Sequence, residues 1–389
     1  MYTSEFHPLP IKTFETLASN HYMHCVSIYL PMHKTGKEQN EHLAQENLKK
    51  CIKNVHKTLK AYLLPKEEIV NYLKPIEALI ADLELWRNPS NGLAIFLDNK
   101  GLNYYTLPIE FETKIQVASN FYLAPLLPLY EDDEKYYLLE LSQDYVKLYE
   151  ASKFGLTNLH IKSLAPDTLE KAVGSDFKQK TLQIRSGQDA FGTGAFHGHG
   201  EGIDDKKKEL FTFLSAIDKG VKKAIKNSKA PLVIASTNSL FNHYKQASTY
   251  ANLYAENCKG DPEFKNKTNL HKASWELIKT YFEENKKQQL KQFSELYNTP
   301  KISYQLNEII PAAISGKIAT LFVEKNTDAY GIYNQENGKL ILNKNKAVVN
   351  ASLTNLAAIQ TFIKGGKVYT LDSKEMPAQG EQLNAIFRF

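Results

Sequence analysis

Cysteines and long apolar runs are scarce in this chain of 389 residues. The three cysteines, Cys25, Cys51 and Cys258, are odd in number and far apart, which excludes a disulfide framework or a zinc module and favours a reducing compartment. No apolar run approaches the ~18 residues that are needed to cross a bilayer. The segment 1–14 lacks the apolar core and cleavage site of a signal peptide. We therefore expect a cytoplasmic protein without membrane association.

The charge balance is only mildly basic. The chain has 48 Lys and Arg residues against 43 Asp and Glu residues, a net charge of +5. Its hydrophobic fraction of 42% and charged fraction of 23% are typical of globular proteins. At ~150 residues per domain, the length predicts two or three domains. The small excess of positive charge indicates that any nucleic-acid contact is a local patch and does not extend over the whole surface.

Strand and helix signals alternate near the start of the chain, which predicts an α/β domain. The run 26–30 is a buried strand, and apolar residues recur with helical spacing over 37–64 and 65–86. The Asp-Asn-Lys-Gly turn at 98–101 predicts a hairpin between two further strands. An acidic break at 131–134 marks the end of this domain.

Two more α/β regions follow the acidic break. Hairpin strands over 136–151, a strand at 232–235 and a helix from Leu240 form the first region. A long polar helix over 270–296 leads into alternating helices and strands that reach the last residues. The sequence therefore predicts three consecutive α/β domains over residues 1–132, 133–264 and 265–389.

The segment from Arg185 to Asp205 is rich in glycine. Six of the chain's 19 glycines lie in it, which predicts a long loop without regular structure. Long loops inside compact domains are usually functional or disordered. It contains no GxxxxGK[ST] phosphate-binding motif, and the chain has no Gly-x-Ser-x-Gly nucleophile motif.

A lysine-rich helix is predicted after this loop, over 205–229, with Asp204 or Asp205 as its N-cap. Five apolar residues from Leu210 to Ile225 share one face, and the segment carries a net charge of +5. The lysines have two interpretations: a solvated face, or a set of contacts to RNA phosphates. The RNA-binding candidates are Lys206, Lys207, Lys208, Lys219, Lys222, Lys223 and Lys226.

Two histidines in the loop, His197 and His199, have three interpretations. They could ligate a metal together with Asp204 or Asp205, lie in a disordered surface loop, or belong to a loop that becomes ordered on binding a partner. No third ligand follows at a recognisable spacing, so we expect no metal site and no cofactor.

The cysteines offer little chemistry. Cys25 and Cys51 lie in apolar surroundings and are predicted to be packed thiols. Cys258 is adjacent to Lys259, whose charge could lower the thiol pKa.

Several short segments, in their joint order, resemble the bacterial archaeo-eukaryotic release factor family, the group that includes Pelota-like ribosome-rescue proteins. They include SIYLP, GLAIFL, FYLAPLLPL, YYLLELSQDYVKLYEA, HGHGEGIDDKKKELFTFLSAIDKGV, PLVIAS, SGKIATLFVE, LAAIQTFIKGGKVYTL and AIFRF. The resemblance implies a family-specific first domain, an RNase H-like middle domain, and a Pelota-type last domain similar to kink-turn-binding proteins.

The resemblance also implies a function on the ribosome, with tRNA or rRNA as partners, in rescue or quality control. True release factors carry Gly-Gly-Gln before a basic helix, where the glutamine positions a water against the ester of peptidyl-tRNA. That motif is absent here, and the nearest segment is Ser186-Gly187-Gln188. Gln188 could serve in the same way, with backbone N–H groups around Gly187 stabilising the oxyanion, or it could be an ordinary loop residue. No Asn-Ile-Lys-Ser motif is evident, so we do not expect codon-specific termination.

Two other functions stay open from the sequence. One is a hydrolase of RNA or an ester that uses His197 or His199 as a base or metal ligand. The other is a non-catalytic interaction protein that has kept the fold and lost the active loop. The catalytic candidates are therefore Gly187, Gln188, His197 and His199.

Overall fold

The computed structural model describes residues 9–32, 42–87, 90–130, 135–161, 163–166, 168–173, 201–226, 228–260, 266–343 and 351–389, with only the backbone for 201–206. The chain forms two compact units. The middle unit is formed mainly by 132–284, and the two-segment unit combines 8–131 with 285–389. The α/β fold class is confirmed, whereas the three-domain boundaries stay a prediction.

The first segment of the two-segment unit is built around a four-stranded antiparallel sheet in the order β3-β2-β1-β4. Its elements are α1 (Ile11–Ala18), β1 (His21–Pro31), α2 (Leu43–Ala61), α3 (Lys66–Ala78), α4 (Leu83–Arg87), β2 (Gly92–Asp98), β3 (Gly101–Leu107) and β4 (Lys114–Asn120). Alternate residues of β1 pack on opposite faces: Val26 and Ile28 contact one core, and Cys25 and Tyr29 another. Burial of both faces explains why residues 25–30 of this strand are apolar except for Ser27.

The middle unit contains a five-stranded sheet in the order β7-β6-β5-β8-β9. Its elements are β5 (Tyr136–Leu141), β6 (Val146–Ser152), β7 (Gly155–Leu159), α5 (Leu169–Val173), α6 (Glu201–Ile225), β8 (Leu232–Ser236), α7 (Asn238–Ala247) and β9 (Leu253–Lys259). Strands β5, β6 and β7 are antiparallel, and β8 and β9 run parallel to β5. The RNase H-like assignment of this domain stays a prediction.

The long helix α8 (Lys267–Glu295) contributes to both units. Its first part, with Ile278 and Phe282, packs in the middle unit, and Phe293 near its end packs in the two-segment unit. No helix within the described ranges is long and apolar enough to cross a membrane.

The last segment carries two small sheets, β10-β16-β11-β15 and β13-β12-β14. Its elements are β10 (Ile302–Ser303), α9 (Leu306–Ile314), β11 (Ile318–Glu324), β12 (Tyr330–Asn334), β13 (Lys339–Leu342), β14 (Ala351–Ser352), α10 (Leu353–Ile363), β15 (Lys367–Leu371) and β16 (Leu383–Phe387). Strands β11 and β15 are parallel and are joined through α10, as in a crossover connection.

The first and last segments share one hydrophobic core, which holds the two-segment unit together. Phe14, Phe96 and Phe121 from the first segment lie in the same buried cluster as Leu321 and Leu353 from the last. Residues more than 200 positions apart in the sequence therefore bury each other's apolar surface, which is the main favourable term in folding.

Candidate nucleic-acid interface

The helix α6 is fixed to the middle unit by its apolar face. Phe213, Leu214, Ile217, Val221 and Ile225 are buried in one core with residues of β5 and β8. The helix begins at Glu201, so the prediction that Asp204 or Asp205 is the N-cap is wrong. Asp204 and Asp205 are therefore residues of its first two turns, where the positive end of the helix dipole favours acidic residues in the sequence.

The end of α6 also differs from the prediction. The helix ends at Ile225, and Lys226 adopts a left-handed φ of 54°. A left-handed residue just after the last helical one is a common helix C-terminus.

The opposite face of α6 is basic. Five of the predicted RNA-binding lysines are exposed: Lys207, Lys208, Lys219 and Lys223 on this face, and Lys226 directly after the last helical residue. Among the described side chains, none of these five forms an ion pair with a carboxylate. The side chain of Lys206 lies outside the described part of the helix. The exposed face therefore presents positive charge that the described protein does not neutralise.

Lys222 differs from the other lysines because contacts with neighbouring side chains fix its position. Its ammonium lies 3.5 Å from Asp218 and also contacts the hydroxyl of Thr249, and its side chain is 39% exposed. Asp218 is buried and accepts hydrogen bonds from the Ser248 hydroxyl at 2.7 Å and the Thr249 backbone N–H at 3.0 Å. One carboxylate thus connects α6 to the loop between α7 and β9.

Gly220 allows a second close contact of α6. A Cβ at this position would lie 2.5 Å from the Cβ of Ala165 and 2.7 Å from the carbonyl oxygen of Leu164. A glycine is therefore required where the segment 163–166 crosses the helix. Together, Asp218 and Gly220 fix the orientation of the basic face relative to the sheet.

A pocket of about 400 Å³ opens at the carboxyl ends of the parallel strands β5 and β8. Such crevices in α/β sheets are common ligand sites. Three leucines form its apolar part, and hydroxyl, amide, carboxylate and imidazole groups complete it. Its lining residues are Leu141, Ser142, Gln143, Asp144, Leu210, Thr237, Ser239, Leu240 and His243. The sequence analysis missed this pocket, although polar residues follow both strands directly.

The predicted catalytic residues Gly187, Gln188, His197 and His199 lie outside the described residues, so their roles stay predictions. Within the described ranges, no group of three or more His, Cys, Asp or Glu side chains is arranged to hold a metal ion.

The three cysteines are buried and form no disulfide. Burial raises the pKa of Cys25 and of Cys51 to about 11, as expected of packed thiols. Cys258 is 5% exposed in an apolar cluster with Tyr136 and Leu156, so it is a core residue, and the effect of Lys259 on its pKa stays a prediction.

Residues 136–280 match the model of bacterial archaeo-eukaryotic release factor family 7. The predicted resemblance to the bacterial archaeo-eukaryotic release factors is confirmed. The matched residues cover nearly all of the middle unit, including α6 and the glycine-rich segment before it. No curated protein matches the chain.

Solved structures of translation factors are similar to the chain at low identity. The archaeal termination factor aRF1 is 14% identical, with 97% of each chain covered and a TM-score of 0.23. Archaeal Pelota, from a model of ribosome-bound Pelota and ABCE1, is 12% identical, with 77% of each chain covered and a TM-score of 0.37. The S. cerevisiae termination-like factor Dom34 is 13% identical, covering 77% of this chain and 79% of its own, with a TM-score of 0.33. The family resemblance rests on the match to 136–280 and not on these superpositions.

Proposed function

We propose that this protein is a release-factor-like protein that binds the ribosome through RNA and acts in ribosome rescue or translation quality control. The observation that carries the proposal is the exposed lysine face of α6, which lies within the segment that matches the release factor family. The RNA partner is rRNA or tRNA, and α6 contacts its phosphates.

The charge of this face suits a phosphate backbone. Lysines that lack a carboxylate partner can displace the counterions of RNA phosphates, and the release of those ions favours binding. The packing of α6 supports the same role, because Asp218 and Gly220 hold the helix rigidly against its neighbours. A rigid helix presents its lysines without a further ordering cost at the moment of binding.

The glycine-rich segment directly before α6 is proposed to reach the peptidyl-tRNA ester. Gln188 would position a water against that ester, and backbone N–H groups around Gly187 would stabilise the oxyanion. This step is separable from binding: a Gln188→Ala variant that binds ribosomes but no longer hydrolyses peptidyl-tRNA would support it. Hydrolysis that persists in Gln188→Ala but is lost in His197→Ala or His199→Ala would favour the histidine-loop hydrolase instead.

Co-sedimentation with purified ribosomes at low and high salt tests the binding proposal. The test variant replaces four exposed lysines of α6 and its C-terminus with glutamine: Lys208, Lys219, Lys223 and Lys226. A control variant removes the same charge from exposed lysines elsewhere in the chain: Lys53, Lys74, Lys301 and Lys374. We expect salt-sensitive binding of the native protein and the control, and loss of binding in the α6 variant. Equal binding by the two variants would contradict the proposal.

A further inference from the structure

Phe211 is exposed on the basic face of α6. Its side chain is 51% exposed, whereas Phe213, two residues later, is completely buried in the core. Among the described aromatic side chains, Phe211 forms no ring contact. Because about half of its surface stays in water, Phe211 contributes less burial free energy to the fold than the fully buried Phe213.

The surroundings of Phe211 on the helix are cationic and polar. Residues three and four positions apart on a helix are neighbours, which places Lys207 and Lys208 on one side of the ring and Ser215 on the other. Lys219 lies one further turn along the same face. Thr212, also exposed, donates its hydroxyl to the backbone carbonyl of Lys208. The face therefore combines one flat apolar ring with positive charges on both sides.

We propose that α6 binds an unpaired RNA nucleotide, whose base stacks on Phe211 while the flanking phosphates contact Lys207, Lys208 and Lys219. This inference rests on the proposed function and specifies its ligand. A nucleotide joins a flat π-surface to an anionic phosphate, which matches the ring and the cations of this face. Proteins that bind single-stranded nucleic acids commonly combine aromatic stacking platforms with basic grooves.

Paired RNA and membrane surfaces fit this face less well. In an A-form duplex the bases are stacked on one another, so recognition proceeds through shape, phosphates and 2′-hydroxyls, and an aromatic ring has no base to contact. A helix that binds a membrane surface inserts a whole apolar face. The apolar face of α6 is buried in the core of the middle unit, and Phe211 is the only large apolar side chain on the described exposed face.

Fluorescence anisotropy with two RNA probes tests the inference: an unstructured single strand and a duplex of equal length. We expect Phe211→Ala to weaken single-strand binding about tenfold, with the duplex affinity and the salt slope unchanged. Phe211→Trp should retain binding, because it preserves a stacking surface. Phe211→Leu should behave like the alanine variant, because leucine keeps apolar area but cannot stack.

Thr212→Ala is the matched control on the same face. Urea unfolding verifies that each variant is folded.

The outcomes separate this inference from the proposed function. If the four-lysine variant loses RNA binding while Phe211→Ala binds as the native protein does, the stacking inference is wrong and the proposed function stands. Two further results would contradict stacking on an unpaired base. One is native affinity of Phe211→Leu for the single strand, and the other is an equal loss of affinity for both probes in Phe211→Ala. If the native protein binds neither probe nor the ribosome, both proposals are wrong. Binding to anionic phosphatidylserine vesicles that needs Phe211, without an effect on RNA, would identify a membrane surface instead.

Discussion

The carboxylate of Asp218 lies 3.5 Å from the ammonium of Lys222, one turn later on α6. Asp218 is almost completely buried, and Lys222 lies at the border of the exposed basic face. Thr249 contacts both side chains. Asp218 therefore contributes to the stability of the middle unit and also fixes the position of the lysine face that we propose for RNA binding.

Replacement of Asp218 by alanine should destabilise the middle unit by about 3 kcal/mol. The substitution removes the charged acceptor of two hydrogen bonds, from the Ser248 hydroxyl and the Thr249 backbone N–H, and a hydrogen bond to a charged group contributes about 1.5 to 3 kcal/mol. Urea unfolding followed by circular dichroism measures the change. Glu209→Ala removes the same charge from the same helix and should change stability by less than about 0.5 kcal/mol. Equal effects of the two substitutions would contradict the anchoring role.

Gly220→Ala should destabilise the protein, although alanine is the better helix former by about 1 kcal/mol. The new methyl group would clash with Ala165 and with the backbone of Leu164. Such overpacking costs about 1 to 3 kcal/mol, which outweighs the gain in helix propensity. Ser215→Ala on the same helix serves as the control and should be neutral or slightly stabilising. A thermal midpoint for Gly220→Ala at or above the native value would show that the segment 163–166 does not pack as described.

Asn355 is predicted to be essential for joining the two segments of the two-segment unit. Its side chain is 1% exposed, accepts hydrogen bonds from the backbone N–H groups of Leu123 and Ala124, and donates to the carbonyl of Phe121. Asn355→Ala should lower the free energy of unfolding by about 3 kcal/mol, because two buried backbone groups and one partly buried one lose their partner. Guanidinium unfolding measures this change in the free energy of unfolding, and Asn103→Ala, at an exposed position, is the control. A loss below about 0.5 kcal/mol would contradict this role.

Asp328 should make stability depend on pH in the acidic range. Burial alone would raise the pKa of Asp328, but the Lys114 ammonium at 2.8 Å and the hydroxyls of Ser352 and Thr354 outweigh it and hold the pKa below its ordinary value of 3.8. Because the folded-state pKa is the lower one, the stabilisation is complete above the unfolded-state value and is lost as pH falls through the folded-state value.

The variant that tests this pH dependence is Asp328→Asn, whose side chain carries no charge at any pH. It should be less stable than the native protein at neutral pH by about 1 to 3 kcal/mol, since it loses the ion pair and charged acceptors. The difference should shrink as pH falls below about 4, because the Asp328 carboxylate of the unfolded chain takes up a proton first and that of the folded protein follows only at lower pH. Urea unfolding across this range measures both proteins. A difference that is constant with pH would show that the charge of Asp328 does not contribute.

The sequence predicted those elements whose residues carry a clear periodicity. The strand β8 is recognisable because both faces are buried and its sequence is therefore continuously apolar. The strand β9 was missed because it lies at the edge of its sheet, where Glu256 and Asn257 interrupt any alternation. The strand β4 was missed for a related reason: its pairing with β1 stabilises a sequence that has weak strand character.

The contacts that fix the candidate site could not be predicted from one sequence. Asp218 lies on the apolar side of α6, and a buried carboxylate requires hydrogen-bond partners. Its partners Ser248 and Thr249 are about 30 residues away in the sequence, so the sequence alone does not identify them. The joining of the first and last segments depends on Asn355 and on the pair of Lys114 with Asp328, which only the folded chain brings together. The lysine face itself was predictable, because exposure follows from the helical spacing of its apolar residues.

The salt dependence of RNA affinity tests the central claim most directly. The dissociation constant for a single-stranded RNA is measured over a range of salt concentrations for the native protein and for the variant with glutamine at Lys208, Lys219, Lys223 and Lys226. If these lysines contact phosphates, the slope of log affinity against log salt should fall in magnitude by about 3 in the variant, at roughly 0.7 for each lost contact. A slope equal to that of the native protein would contradict the account.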